Sequence, residues 1–311
     1  MCTAISYNDY FGRNLDLDST YNEQVTIVPR KYKLTYRKQA LDNNHYAFIG
    51  MAAYYDDYPL FFDGMNEYGL CCAALNFPDF AYYKDFNSEL HNITPFEFIP
   101  WILSQCQNLT DAKKLISKTN LVDIKFNNQL PLTPLHFIIA DKNSSISVEP
   151  TKDGIKIYDN PYGVLTNSPP FDMQMFNLNN YLNLTANTPN NRFSKATDLN
   201  PYSFGMGAIG LPGDFSSSSR FVKATFVKTN SPDFDTEKEC INQVFRILNT
   251  VAIPKGSVIM QNGNLEYTIY SCCMNDGKYY YTSYNGGFYY ADIFKENLDT
   301  DRLIFHKRKV D

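Results

Sequence analysis

The chain has 311 residues, of which 44% are hydrophobic and 15% are aromatic. This composition can form a large buried core, and the length is at the upper end of the range for one compact domain, so we expect a single domain over residues 1–311. The net charge is −5, and Lys and Arg are in excess only in the tail at 306–310, which argues against a surface for nucleic acid or anionic membrane.

The start of the chain and its cysteines bear on its location. Charged residues, among them Asp9 and Asp18, lie within the first 20 positions, where a signal peptide requires an apolar segment. No run of about 18 apolar residues is present to span a bilayer. The seven cysteines are an odd number and include two adjacent pairs, which fits reduced thiols better than a disulfide framework. These features predict a cytoplasmic protein.

The predicted elements are segregated along the chain. Branched and aromatic residues predict strands at 3–7, 24–30, 33–38, 46–55 and 69–77. A helix is predicted at 93–106, where Thr94, Pro95 and Glu97 supply a start signal, and a second begins at Thr110. Strands return at 135–141, 145–150, 155–160 and 162–169, followed by a helix at 236–251 and strands at 266–275, 278–285 and 303–308. This order favours an α+β layered fold over a βαβ alternation.

One Asn-rich stretch, from Phe176 to Arg220, interrupts this order and predicts a long irregular excursion. Within it Gly205, Gly207 and Gly210 spell G-x-G-x-x-G, the pattern of a dinucleotide site. No strand is predicted before it, and a proline follows where a helix should begin. We therefore assign these glycines to turns.

A cysteine directly follows the initiator methionine. If Met1 is removed, Cys2 carries a free α-amine beside its thiol, so that one residue holds a nucleophile and a base. An α-amine has a pKa of about 7.7 to 8.0 and a thiol of about 8.5, close enough for proton exchange at neutral pH. A hairpin would fold Arg13 and Asp16 back against this residue, where the cation favours the thiolate and the carboxylate orients the amine.

The sequence as a whole resembles the choloylglycine hydrolase family, which comprises bile salt hydrolases and penicillin V acylases, and it resembles the bile salt hydrolases of Gram-positive gut bacteria most. The resemblance covers nearly the whole chain in order, and it is carried by "MCTAISY", "FGRNLD", "DYPLFFDGMNEYGL", "LNFP", "ITPFEFIPWILSQC", "LPLTPLH", "IYDNPYGVLTNSPPF", "GAIGLPGDFSSSSRFVKA" and "EYTIYSCCMN". It implies an N-terminal nucleophile (Ntn) hydrolase with a four-layer αββα sandwich, a homotetramer, and no cofactor or metal.

The resemblance also assigns the site residues. The six catalytic residues that it implies are Cys2, Arg13, Asp16, Asn76, Asn167 and Arg220. The two asparagines are suitable donors for the oxyanion of a tetrahedral intermediate. By alignment with the family, the wall of the pocket for a steroid acyl group consists of Leu15, Tyr21, Phe126, Leu130 and Leu135.

The function implied is hydrolysis of the amide bond of glycine- or taurine-conjugated bile salts. Two alternatives remain: the same chemistry on penicillin V or an N-acyl homoserine lactone, and a catalytically silent binding protein that retains Met1. Asn76 favours bile salts, because the penicillin V acylases of this family tend to carry Tyr at that position. His136 is the alternative general base, since a Cys–His pair serves the thiol proteases.

Overall fold

The computed structural model of the protein describes residues 1–40 and 44–306. The strands are β1 (Cys2–Tyr7), β2 (Tyr10–Leu17), β3 (Gln24–Val28), β4 (Phe48–Tyr55), β5 (Tyr58–Phe61), β6 (Asp63–Asn66), β7 (Cys71–Asn76), β8 (His91–Ile93), β9 (Thr119–Leu121), β10 (Leu135–Ala140), β11 (Ser145–Thr151), β12 (Gly154–Asp159), β13 (Val164–Leu165), β14 (Val258–Ile259), β15 (Leu265–Asn275), β16 (Lys278–Ser283), β17 (Gly286–Asp292) and β18 (Ile304–His306). The α-helices are α1 (Phe98–Leu103), α2 (Leu109–Ile116), α3 (Phe171–Asn177), α4 (Ser217–Thr229) and α5 (Glu237–Asn249).

Two antiparallel sheets form the centre of the fold. Among the described residues, the first sheet has seven strands in the order β13-β1-β2-β15-β16-β17, with β14 paired to β15. The second sheet has nine strands in the order β12-β11-β10-β7-β6-β4-β3-β18, with β5 paired to β4. Short strands β8 and β9 form a separate parallel pair.

The sheets pack face to face, and each is covered by helices on its outer face. Ile5 of the first sheet, Ile49 of the second sheet and Val244 of α5 share one buried apolar cluster. Phe137 of the second sheet packs on the other side of that sheet against Phe98 of α1, with ring centroids 4.0 Å apart. The layer order is therefore α4 and α5, first sheet, second sheet, α1 and α2, as the αββα prediction requires.

Strands buried on both faces explain the adjacent cysteines. Successive side chains of a strand point to opposite faces. Cys71 accordingly joins the cluster between the sheets, and Cys72 joins the cluster beneath α1. All seven cysteines are free and buried.

Some sequence predictions need correction. Residues 33–38 were predicted as a strand but form no strand; Leu34 and Tyr36 instead pack on the core beneath α1, so their apolar alternation reflects docking of side chains without a ladder of hydrogen bonds. The irregular excursion was predicted to reach Arg220, but Ser216 caps α4 and Arg220 lies within this helix. Of the predicted strand at 303–308, residues 307 and 308 lie outside the described residues.

Other predictions are confirmed. The Glu97 carboxylate accepts a hydrogen bond from Thr94 N (2.8 Å), as the start signal for the first helix requires. Gly205 and Gly210 have φ of +83° and +99°, the left-handed conformation expected of turn glycines. The assignment of residues 1–311 to a single domain stays a prediction.

Gly50 in β4 supplies a test of how tightly the second sheet is packed. A Cβ atom at this position would overlap the carbonyl oxygen of Asp63 and lie 2.9 Å from Gly64 Cα. We expect Gly50→Ala to lower the free energy of unfolding by about 1–3 kcal/mol, because backbone atoms must move to admit the methyl group. Urea titration measures this loss, and Gly213→Ala, which adds its methyl group in open space, is the control. Equal urea midpoints for the two variants would contradict the prediction.

Candidate active site

The register of the first hairpin brings Cys2 and Arg13 together. Cys2 pairs with Leu15, and Ala4 pairs with Arg13. Side chains at opposite positions of paired strands lie on the same face, as do residues two apart, so Cys2, Leu15 and Arg13 share the face that points to the second sheet. Asp16 lies on the other face of β2, toward the layer of α4 and α5.

Arg13 contacts the thiol. Its Nη2 donates a hydrogen bond to Cys2 Sγ (2.9 Å), and its Nη1 donates to the carbonyl oxygen of Phe62 (2.7 Å). Arg13 is fully buried, and burial lowers its pKa, but the charges of Cys2, Tyr270 and Asp63 outweigh burial and raise the pKa overall. A permanent cation therefore lies against the sulfur, an arrangement that favours the thiolate.

Arg220 reaches the backbone of Cys2 from α4. Its Nη1 donates to the Cys2 carbonyl oxygen (2.5 Å) and to Thr3 Oγ1 (2.6 Å). Its Nη2 donates to Asn167 Oδ1 (2.7 Å). Burial lowers the pKa of Arg220, and the nearby Asp16 carboxylate opposes this effect. The residue is fully buried, so its guanidinium fixes the position of Cys2 through several hydrogen bonds at once.

Asp16 is a buried carboxylate with one free oxygen. Thr268 Oγ1 donates to Asp16 Oδ1 (2.6 Å), while Oδ2 lies 4.0 Å from Arg220 Nη1 and has no hydrogen-bond partner among the described residues. Burial raises the pKa of Asp16, opposed by Arg220 and by the α-amine. Asp16 Oδ2 can therefore accept a hydrogen bond from a further donor near the start of the chain.

An irregularity in β15 supports both faces of the hairpin. Thr268 pairs with Asp16, and Tyr270, two residues on, pairs with Leu15, so the register shifts between them. Without this shift the two side chains would lie on one face. With it, Thr268 reaches Asp16 on the helix side, whereas Tyr270 reaches Asp63 on the side of the second sheet.

Asn167 links Cys2 to Asn76. Its Oδ1 accepts a hydrogen bond from Cys2 N (2.9 Å), and its Nδ2 donates to the carbonyl oxygen of Asn76 (2.7 Å). Its own backbone N donates to Ser217 Oγ (2.8 Å). Both ends of the Asn167 carboxamide are therefore engaged. Within residues 1–40 and 44–306, no hydrogen bond engages the side chain of Asn76, which lines the cavity described below.

Met1 extends β1 by one residue. Its N donates to the Asp16 carbonyl oxygen (2.9 Å), and its carbonyl oxygen accepts from Asp16 N (3.1 Å). Its α-amine forms an ion pair with Glu266, and burial lowers the pKa of this amine. While Met1 is attached, Cys2 N is a peptide nitrogen without basic character.

His136 has no ring nitrogen available. Its Nε2 is 2.9 Å from the carbonyl oxygen of Thr166, and its Nδ1 is 3.2 Å from Glu149 Oε1. The ring stacks on Phe77 with centroids 4.3 Å apart, and it is fully buried. The geometry therefore argues against His136 as the general base.

An apolar cavity of about 270 Å³ opens at Cys2. All five side chains predicted as its wall, Leu15, Tyr21, Phe126, Leu130 and Leu135, line it. Further side chains line it that were not predicted from the sequence, among them Leu17, Tyr55, Phe62, Phe96, Ile99 and Leu132. Of these, only Leu132 had a signal in the sequence, because it lies between the predicted wall residues Leu130 and Leu135. A wider cleft of about 870 Å³, lined by Ser6, Asn160 and Lys228, is open and polar and does not include Cys2.

Two further findings concern the described residues. Nowhere in residues 1–40 and 44–306 do three His, Cys, Asp or Glu side chains gather in a way that could hold a metal ion. No helix in the same part of the chain has the length and apolar character needed to cross a bilayer. The expectation that the protein uses no cofactor stays a prediction.

An αββα stack with a second-position cysteine at the mouth of a cavity defines the class of N-terminal nucleophile hydrolases. Residues 2–306 match the family of linear amide C–N hydrolases, choloylglycine hydrolase family. The chain belongs to the choloylglycine hydrolase family. The predicted family and the predicted fold class are therefore confirmed.

Relatives support this assignment over nearly the full length. The chain is 53% identical over 310 residues to a bile salt hydrolase/transferase of Lactiplantibacillus plantarum, covering 98% of this chain and 96% of the relative. It is similar to the crystal structure of the C2A mutant of the conjugated bile acid hydrolase of Clostridium perfringens, with a TM-score of 0.91, 35% identity, and coverage of 99% and 97%. A penicillin V acylase of Agrobacterium tumefaciens, with a TM-score of 0.76 and 21% identity over 97% of this chain and 90% of the other, shares the fold.

The contact of Arg220 with Asp16 predicts a pH-dependent loss of stability. Removing one partner of a buried ion pair costs about 3–5 kcal/mol, so Arg220→Met should be strongly destabilising at about pH 7.5. The folded-state pKa of Asp16, already raised by burial, rises further without Arg220. This cost is full above the folded-state pKa and disappears as the pH falls toward the ordinary value of about 3.9. The loss should therefore be smaller at about pH 5.

Urea unfolding at the two pH values measures this difference. Arg246→Met, which removes an exposed arginine of α5, is the control and should change stability little at either pH. A loss of stability for Arg220→Met that is equal at both pH values would show that Asp16 does not depend on Arg220.

Proposed function

We propose that this protein hydrolyses the amide bond of glycine- or taurine-conjugated bile salts, with Cys2 as the nucleophile once Met1 has been removed. The observation that carries the proposal is the position of Cys2 Sγ, 2.9 Å from a buried arginine and at the wall of an apolar cavity. Two relatives with high coverage are named for action on bile salts. The cavity suits a rigid apolar acyl group, because most of the side chains that line it are apolar.

The proposed reaction has two stages. Cys2 Sγ forms a bond to the amide carbonyl carbon, and the thiol proton passes to the α-amine of Cys2. The same amine then protonates the leaving nitrogen, the C–N bond breaks, and glycine or taurine departs from a thioester. Water, deprotonated by the amine, attacks the thioester and releases the bile acid.

The polar residues around Cys2 have proposed roles in these steps. Arg13 stabilises the sulfur anion, and Asn76, whose carboxamide makes no hydrogen bond among the described residues, donates from its Nδ2 to the oxyanion. Asn167 holds the α-amine through its Oδ1 rather than serving as a free side-chain donor, because its Nδ2 is engaged by Asn76. Asp16 Oδ2 supplies the free acceptor for the ammonium, and Arg220 fixes the Cys2 carbonyl and Asn167.

The alternative substrates receive less support. A penicillin V acylase of Pectobacterium atrosepticum is 23% identical over 223 residues, covering 66% of this chain and 54% of that protein, so it shows no more than a shared fold. Asn76, in place of Tyr, also favours bile salts over penicillin V. N-acyl homoserine lactones remain a second candidate, because their acyl chains also suit an apolar cavity.

We also propose a cytoplasmic homotetramer. The seven buried free thiols fit a reducing compartment. The excursion after α3 exposes large apolar side chains, among them Phe193 at 91% and Phe204 at 97%. A cluster of this kind on one segment is typical of a surface that another subunit covers. Multi-angle light scattering measures the assembly state.

The first prediction on function concerns Met1. If the α-amine of Cys2 is the general base, a variant with a bulky residue inserted between Met1 and Cys2, so that Met1 is retained, should bind bile salt but hydrolyse it more than about 10⁴-fold more slowly. Blocking removes the base and also crowds the sulfur. Intact mass confirms the retained methionine, and ninhydrin detection of released glycine measures the rate on glycocholate.

The matched comparison is Cys2→Ser, which keeps the amine and replaces the thiol with a weaker nucleophile. It should also be nearly inactive while remaining folded. Hydrolysis near the wild-type rate by the Met1-retaining variant would overturn the amine mechanism.

The second prediction concerns substrate choice. Glycocholate should exceed penicillin V in kcat/KM by more than about tenfold, because extra buried apolar area contributes roughly 25 cal/mol per Å². Initial rates on both substrates with one preparation decide this. Equal kcat/KM values on the two substrates would contradict the prediction and favour the penicillin V acylase alternative.

A further inference from the structure

Asp63, at the start of β6, is a fully buried carboxylate that none of the steps above uses. Its Oδ1 accepts hydrogen bonds from Tyr279 OH (2.7 Å) and Met51 N (3.4 Å), and its Oδ2 accepts from Tyr270 OH. Arg13 Nη1 lies 3.7 Å from Oδ2. Asp63 does not line the cavity.

Arg13 thus contacts two acidic groups, the Cys2 thiol and the Asp63 carboxylate. One edge of its guanidinium donates to Cys2 Sγ (2.9 Å), and Nη1 faces Asp63 Oδ2. Its Nε has no hydrogen-bond partner among the described residues. The side chains of Arg13 and Asp63 are both fully buried, so solvent does not screen their interaction. A negative charge on Asp63 therefore reduces the positive potential that Arg13 creates at the Cys2 sulfur.

The donors around Asp63 fit its ionised form. Two hydroxyls, one backbone N–H and one guanidinium point at its two oxygens. Burial raises the pKa of Asp63, and Arg13 and the two tyrosines oppose this effect. The other titratable groups that feel its charge are the neutral buried thiols Cys71, Cys72 and Cys272. Each of these thiols has a pKa raised by burial.

We propose that Asp63, held by Tyr270 and Tyr279, is a positioning residue that acts on Cys2 through Arg13, because its carboxylate offsets part of the guanidinium charge beside the sulfur. With Arg13 alone, the sulfur would be held as a strongly stabilised thiolate, and a thiolate loses intrinsic nucleophilicity as its pKa falls. With Asp63 present, the positive charge beside the sulfur is partly offset, so the sulfur keeps more of its nucleophilicity and can still exchange its proton with the amine. This inference rests on the thiol chemistry of the proposed function.

The experiment compares Asp63→Asn with wild type after removal of Met1. The rate of iodoacetamide alkylation of Cys2 is followed against pH by mass spectrometry, which distinguishes Cys2 from the six other cysteines, all buried. We expect the midpoint of the profile to fall by at least about half a pH unit, a threefold change in the acid dissociation constant. The plateau rate should fall, and kcat on glycocholate should fall about tenfold with KM within about twofold.

The direction of the shift separates the possible roles. If Asp63 only braced Arg13, its loss would let the cation withdraw and the midpoint would rise; if Asp63 only packed the core, the midpoint would stay. Either result overturns the proposal. Glu97→Gln, a buried carboxylate on the α1 side of the second sheet, is the control and should leave the midpoint unchanged.

A second variant keeps the proposal testable if Asp63→Asn does not fold. Tyr270→Phe removes one donor from the carboxylate and so favours its protonated form. It should move the midpoint in the same direction by a smaller amount, and an unchanged midpoint overturns the proposal. The alkylation profile does not depend on bile salts. Failure of wild type to hydrolyse glycocholate would therefore refute the proposed function and leave the role of Asp63 to be decided by the midpoint.

Discussion

The hydrogen bond from Arg13 to the sulfur of Cys2 is the interaction on which the rest of the site depends. It exists because the β1–β2 register places the two side chains diagonally on one face. A slip of one residue would move Arg13 to the opposite face of the strand. The burial of Arg13 then imposes a second requirement, since a buried cation is stable only where anions or carbonyl oxygens surround it. Phe62 O and Asp63 meet that requirement from the second sheet.

The two faces of the first hairpin contact different parts of Cys2. On the face toward the second sheet, Arg13 acts on the thiol. On the face toward the helices, Asn167 and Arg220 contact the backbone nitrogen and carbonyl oxygen of the same residue, and Asp16 lies 4.0 Å from Arg220. The register shift in β15 lets one strand support both faces, with Thr268 on Asp16 and Tyr270 on Asp63. The thiol and the backbone of Cys2 therefore lie in two separate polar environments, one on each side of the sheet.

Buried charge makes this arrangement costly for stability. Arg13 is fully buried opposite Asp63, and Arg220 is fully buried opposite Asp16. Burial raises the pKa of both carboxylates. Replacing a whole buried ion pair by apolar residues of similar volume is often neutral or stabilising in other proteins, whereas removing one partner alone is destabilising. These charges are therefore better explained by chemistry than by folding, and the surrounding apolar layers supply the stability that holds them in place.

The sequence by itself determined the family, the α+β class and the order of most strands and helices, and its resemblance to the family pointed to the five polar residues that lie around Cys2. Local patterns sufficed for the class and for the order of elements, because strand alternation and helix start signals are properties of short segments. The family and the polar residues required the order of motifs along nearly the whole chain. Residues 33–38 show where such patterns fail: apolar alternation cannot distinguish a paired strand from a segment that docks its side chains singly.

Only the tertiary structure decided which atoms meet. Asn167 is engaged at both ends and Asn76 is free, a distinction that depends on residues 91 positions apart in the chain. Asp63 and Tyr270 are 207 positions apart, and no local pattern marks either as a partner of Arg13. Arg220 was predicted at the end of an irregular excursion, and only the packing of α4 on β1 buries it against Cys2. These contacts join segments that are distant in the chain, so they depend on how the layers stack. Whether a side chain is buried, and which charge it pairs with, is decided only when the layers pack together.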